Sequence, residues 1–154
     1  MNDKIEARQN FMKGRIMKKQ NKYKRSPWGQ VDFQHIIAEG IVSVCTPSHG
    51  GLKLDAKRQA IMPAGMRTDD GWYEEDCEWA KVFVVFRRHI LDYCRAHPDD
   101  PNTPYTLTSI ERAPESLKNW YPEQYERWFG CQVPPGESYV REHPWPAHIQ
   151  IVSA

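Results

Sequence analysis

The strongest periodic signal in the chain is Trp79, Phe83, Phe86, Ile90 and Tyr93, recurring at spacings of four, three, four and three. That spacing keeps them on one side of a helix and predicts one long helix over about 73–96. Asp69 or Asp70 is placed to cap it, and Glu74, Glu75 and Asp76 fall in its opening turns, complementing the positive end of the helix dipole. Arg87, Arg88, Arg95 and His97 suit the other end, and His97-Pro98-Asp99-Asp100-Pro101 stops it. A second signal is the β-branched run Ile41-Val42-Ser43-Val44-Cys45-Thr46 between Gly40 and Pro47, which predicts a short buried strand. After the glycine-rich corner Pro47-Ser48-His49-Gly50-Gly51, Leu52 and Leu54 alternate with Lys53 as a strand or edge segment. Asp55 then caps a short helix over Ala56 to Met62 that Pro63 ends.

Weaker signals complete the plan. Ser26-Pro27-Trp28-Gly29 is a turn, since proline presets its own φ and glycine accepts the reversed one. Residues 3–20 carry a faint helical stripe, and Tyr105 to Thr108 reads as a brief strand. Glu115 to Tyr121 and Glu123 to Phe129 read as helices, the second opened by Pro122 and closed by Gly130. Ala147 to Val152 alternates as a final strand. The expectation is an α+β fold: a small, mostly antiparallel sheet packed against the long helix, with short C-terminal helices.

Composition adds limits. At 154 residues and 40% hydrophobic, the chain suits one domain with a real core. Its longest apolar runs, Val82 to Phe86 and Gly40 to Val44, are far too short to cross a bilayer, so no membrane partner is expected. The opening residues are charged where a secretory signal needs an apolar stretch, which places the expected location in the cytoplasm. Cys45, Cys77, Cys94 and Cys131 read as reduced thiols. The net charge of +1 hides an asymmetry: residues 1–25 hold nine of the 21 basic side chains against Asp3 and Glu6, leaving an acidic body. The chain therefore divides into a basic N-terminal arm or helix, 1–25, and a single compact α+β domain, 26–154. The arm reads either as a solvated tail or as a contact for nucleic-acid phosphate or an acidic protein surface. Only Phe11 and Tyr23 interleave aromatics with its charge, too few for a stacking platform.

Two stretches could carry chemistry. The corner Cys45 to Gly51 sets a thiol, two hydroxyls and the His49 imidazole beside glycines that admit close approach. His49 can act as acid, base or ligand near neutral pH, or donate one bond that locks the turn. Gly71-Trp72-Tyr73-Glu74-Glu75-Asp76-Cys77-Glu78-Trp79 gathers four carboxylates and three aromatics; on a helix Glu74 and Glu78 share a face and Glu74 and Glu75 do not. Catalytic candidates are thus His49 with Glu74, Glu75 and Asp76, provided the corner and the start of the long helix meet in a polar cleft. Cys45-x3-His49, Cys94-x2-His97 and His143-x4-His148 each resemble half a zinc site, yet none is a CxxC pair and no metal or cofactor is expected. No phosphate loop, dinucleotide fingerprint or serine-nucleophile elbow occurs.

Ser26-Pro27-Trp28-Gly29, Thr46-Pro47-Ser48-His49-Gly50-Gly51, Gly71-Trp72-Tyr73-Glu74-Glu75-Asp76, Trp120-Tyr121-Pro122-Glu123 and Pro135-Gly136-Glu137-Ser138 together resemble a family of uncharacterised domains of bacteriophages, plasmids and integrated mobile elements. The likeness spans most of 26–154. It implies a mobile-element context in the bacterial cytoplasm and supplies no catalytic assignment. The expectation it favours is a binding protein that inhibits a host defence protein or ribonucleoprotein complex, of the anti-CRISPR or another anti-defence type. Contact candidates are Lys18, Lys19, Lys22, Lys24 and Arg25 of the arm with Trp120, Tyr121 and Trp128. The alternative is a small hydrolase or nucleotide-modifying enzyme built on His49 and its acidic neighbours. A DNA-binding regulator ranks below both, because the body is acidic and no recognition helix stands out.

Overall fold

The structure, a computed structural model, describes residues 22–98, 100, 101 and 103–144. The helix expected over 3–20, Lys18 and Lys19, and the strand expected over 147–152 lie outside the described residues. The architecture is α+β. A small hairpin, β1 (Arg25–Ser26) with β2 (Gly29–Gln30), turns through Pro27 and Trp28. It is followed by a four-stranded antiparallel sheet in sequential order: β3 (Phe33–Ala38), β4 (Ile41–Cys45), β5 (Gly50–Leu54) and β6 (Trp72–Glu74). Six α-helices lie among the described residues: α1 (Ala56–Ile61), α2 (Trp79–Val85), α3 (Arg87–Ala96), α4 (Leu107–Trp120), α5 (Pro122–Phe129) and α6 (Tyr139–Glu142). None is long and apolar enough to cross a membrane.

Register decides what each face of the sheet carries, since directly opposed residues of antiparallel strands point the same way. On one face, Ala38, Ile41 and Leu54 form an apolar row; His35, Ser43, Leu52 and Tyr73 form a mixed one; and Phe33, Cys45 and Gly50 form a third. Over the first two rows pack Phe83 of α2, Ile90 of α3, and Ile110 and Leu117 of α4, all essentially buried, and this is the main core. The opposite face carries Val42 and Val44, covered by Val31 and by the half-buried rings of Tyr23, Trp28 and Trp72. All four cysteines are free thiols.

The single long helix is a correction. Residues 72–74 are strand β6, residues 75–78 a turn, and the helix that follows is broken at Phe86, so the longest helix among the described residues is α4 at 14 residues. The carboxylates that suggested a helix opening satisfy turn N–H groups instead. Asp70 Oδ1 accepts from Trp72 N at 3.0 Å, Glu74 accepts from Asp76 N and Cys77 N at 2.7 and 3.2 Å, and Glu78 Oε2 accepts from Glu74 N at 3.3 Å. Apolar periodicity located the stripe correctly: Phe83, Phe86, Ile90 and Tyr93 all reach the core through the break, with Trp79 packed at its edge. The strand expected at Tyr105 to Thr108 is replaced by the start of α4, where Ser109 Oγ accepts the Thr106 N–H at 3.3 Å. That helix runs on through Pro114, because Ile110, Ala113 and Leu117 anchor both sides of the interruption in the core. Leu52 and Leu54 belong to an interior strand, not an edge. Strand β4, the Asp55-capped α1 and the Pro122-to-Gly130 helix follow the sequence reading, Gly130 closing the last in the left-handed conformation at φ 68°.

Candidate functional site

The third row of the helix-side face is where the covering stops. Glu75 follows Tyr73 by two residues and takes the same side, and its backbone N–H donates to Gly50 O at 3.2 Å, so it extends the row Phe33, Cys45, Gly50. Above it, α4 turns a hydrophilic stripe inward: Thr108, Ser109, Arg112, Glu115, Ser116 and Asn119 recur at helical spacing beside the buried stripe Ile110, Ala113 and Leu117. Between them lies an open cleft of about 810 Å³, with Glu75, Asp76 and Cys45 on its floor side, Pro104 to Thr106 at one end, and Trp79 and Trp120 among its walls.

Two adjacent glycines set the geometry of this corner. A Cβ on Gly50 would stand 2.7 Å from Glu75 Oε2 and 3.0 Å from Val44 O, so glycine there leaves the carboxylate its place in the row. A Cβ on Gly51 would run into the Trp28 indole and Tyr73 O on the opposite face. The Ser-Pro-Trp-Gly, His-Gly-Gly and Trp-Tyr-Glu-Glu segments, far apart in the chain, are therefore parts of one junction.

The expected histidine site is brought together in part. His49 closes the β4–β5 turn through its backbone: Thr46 Oγ1 donates to His49 O at 2.8 Å and accepts from His49 N at 3.1 Å. Thr46 thus supplies the turn lock, and the half-exposed His49 ring instead faces Glu75, with Nδ1 3.8 Å from Oε1. Asp76 lies beside Glu75 in the cleft wall. Glu74 does not join them. It is paired with Gly51 on the other face and is occupied by its own turn, so it drops out of the centre. Burial, with Glu75 and Asp32 nearby, pushes the Cys45 thiol up and keeps it protonated at neutral pH, unlike an activated nucleophile. Tyr105, whose phenol lies against Ser43 deep in the cleft, is likewise raised by burial.

The arm and aromatic candidates separate. Lys22, Lys24 and Arg25 are exposed at the start of the hairpin. Trp120, 38% exposed, stands in the cleft wall and packs on Tyr139 at 5.1 Å. Trp128 lies on α5 in a different, apolar groove with Phe83, Val84 and Pro114. Tyr121 is not free surface: it is half-buried against the core, with the Lys81 ammonium 3.8 Å from its ring centre. Of the potential zinc halves, His148 lies outside the described residues, and the remaining side chains near the helix ends bond locally. Cys94 Sγ donates to Tyr105 O, His97 Nδ1 to Tyr93 O and His143 Nδ1 to Tyr139 O, and among the described residues no three ligating side chains gather around one point.

Sequence reading missed Arg112 and the polar stripe of α4, because that helix was taken to begin only after Pro114. The capping pair Thr106-x-x-Ser109 was the available signal.

The model of a family described as a domain of unknown function, DUF7007, matches residues 21–145, and the chain belongs to that family. No curated protein and no solved structure matches it.

Proposed function

We propose that this member of the DUF7007 family is a binding protein whose cleft seats part of a protein partner. Arg112 carries the reading. It is exposed in the cleft wall, has no ion-pair partner among the described residues, and shares that wall with the exposed ring of Trp120. Arginine and tryptophan beside a desolvating cavity are the side chains that dominate interface energetics, and an arginine with no internal carboxylate is available to a partner's. The motif resemblance supplies the biological half of the proposal: the protein acts for a phage or mobile element in the bacterial cytoplasm, where it inhibits a host defence protein or the protein part of a ribonucleoprotein. The test is plating efficiency of a sensitive phage on strains that each carry one defence system, with and without the protein. Protection on one strain, lost in an Arg112→Glu, Trp120→Ala double variant with an unchanged circular dichroism spectrum, is the expected result. Full protection by the double variant removes the cleft from the activity.

A second reading, a small hydrolase or nucleotide-modifying enzyme, is favoured by the 3.8 Å approach of His49 to Glu75 at the edge of the same cleft. In it His49 moves the proton and Glu75 orients the ring, with Asp76 beside them. His49→Gln separates the two readings: it abolishes turnover of esters, phosphate esters or nucleotides under the second and leaves defence inhibition intact under the first.

A further inference from the structure

The face of the sheet away from the helices carries a cluster that neither reading uses. Trp72 of β6 stands at its centre, with Tyr23 edge-on at 5.4 Å and Trp28 edge-on at 5.7 Å, and all three rings are only half-buried. The Lys53 ammonium is 5.2 Å from the Trp72 ring centre and that of Lys22 is 5.6 Å from the Tyr23 ring centre. Lys22, Lys24 and Arg25 are exposed and form no ion pair among the described residues. The acids near the cluster are occupied at home: Glu74 in its turn, and Asp70 as acceptor for the Trp72 N–H. Lys53 donates to the backbone oxygen of Asp70, so the cations left for a partner beside these rings are Lys22, Lys24 and Arg25.

We propose that this hairpin face binds single-stranded nucleic acid. Bases stack on aromatic side chains while phosphates pair with the surrounding Lys and Arg, and no base-specific hydrogen bond is required. In sequence the arm offered too few rings for such a platform. Folding supplies them, because the Ser-Pro-Trp-Gly turn and β6 deliver Trp28 and Trp72 to the side of Tyr23. An acidic protein would use the cations but gain less from the rings, which makes nucleic acid the better fit to both features.

The test is fluorescence anisotropy of the full chain with a labelled single-stranded thymidine 20-mer, an abasic 20-mer of equal charge, and polyglutamate, across a salt series. The expected result is thymidine binding about tenfold or more tighter than abasic binding, as stacking of even one base predicts. Affinity should fall with salt at about 0.7 log units per log unit for each phosphate engaged. Lys22→Glu, Lys24→Glu, Arg25→Glu together should lower affinity at least about tenfold and flatten the salt slope by about 2. Tyr23→Ala should narrow the gap between thymidine and abasic polymers while leaving the slope unchanged. Equal binding of the thymidine and abasic polymers, or tighter binding of polyglutamate, overturns the proposal in favour of a general polyanion or acidic-protein surface. Wild-type affinity in the triple variant, with its fold verified by circular dichroism, overturns it by moving the contact off this face.

Discussion

The two faces of the four-stranded sheet are built on opposite plans. On one, helices α2, α3 and α4 close over two rows of side chains and leave the third as the floor of a cleft. On the other, among the described residues, Val42 and Val44 are covered by one buried valine, Val31, and three half-buried aromatic rings. The first face buries enough to hold the fold and has a polar remainder to act with; the second exposes aromatic surface that packing alone does not require. Both depend on consecutive glycines. Because neighbouring residues of a strand point to opposite sides, Gly50 makes room for Glu75 in the cleft and Gly51 makes room for Trp28 on the back.

That dependence can be broken at Gly51. A methyl group there meets both the Trp28 indole and the Tyr73 carbonyl, and only the indole can move. Gly51→Ala should cost about 3 kcal/mol or more, at the upper end of overpacking effects, and release Trp28 to solvent. Chemical denaturation with tryptophan emission as the readout checks it. An unaltered midpoint and emission maximum would show that the hairpin is not seated on the sheet.

The inequality of the faces is sharpened by truncating one side chain on each. Leu52 and Val44 are both 1% exposed or less, on adjacent strands, and point in opposite directions. Leu52→Ala opens a cavity under α2 and α4 and should cost about 3 kcal/mol, whereas Val44→Ala lies under a thin, adjustable cover and should cost about 1.5 kcal/mol. Equal losses in urea denaturation would mean that the aromatic cover is packed as tightly as the main core.

How much of this was readable beforehand follows the same division. Strand β4, the Asp55 and Gly130 caps and the helical stripe from Phe83 to Tyr93 rest on local signals, and the structure retains them. The segment 72–78 misled because four carboxylates before an apolar stripe are also what a turn uses to satisfy its N–H groups; pairing of Trp72 and Tyr73 with Lys53 and Leu52 is a long-range fact that no local window contains. Strand β3 went unseen for a related reason. Its exposed Phe33 and Ile36 and buried Ile37 do not alternate cleanly, since the register shifts between Ile36 and Ala38. Of the candidate centre, His49, Glu75 and Asp76 were legible as residue types, while Arg112 and the removal of Glu74 depended on knowing which face each side chain takes.

Gly50 offers a smaller break confined to the cleft. The group a new Cβ meets first is the end of the flexible Glu75 side chain, so Gly50→Ala should cost only about 1 kcal/mol as the carboxylate swings aside. NMR shift changes should stay within Cys45, His49 and Glu75–Asp76. Changes spreading to Trp28 would show that the two glycines do not act on separate faces.

The smallest expected effect concerns the cleft rim, where Tyr139 of α6 holds Trp120. That helix is tied to α5 by Arg141, which pairs with Glu126 at 2.8 Å and Glu123 at 3.2 Å, while Glu126 also accepts the Val133 N–H at 2.9 Å. The Arg141 hydrogen bond first, then the Val133 N–H, hold the Glu126 carboxyl at about 2, against an ordinary value of 4.5. A carboxyl depressed on folding stabilises the folded form in full above its unfolded value and loses that contribution as pH falls through its folded value. Hydrogen-exchange protection of the Val133 and Tyr139 amides should therefore be constant above about pH 4.5 and decline toward pH 2, and in Glu126→Gln it should be low and flat over the same range. If Leu52 loses protection in the same window, the acid-sensitive element is the main core and not this rim.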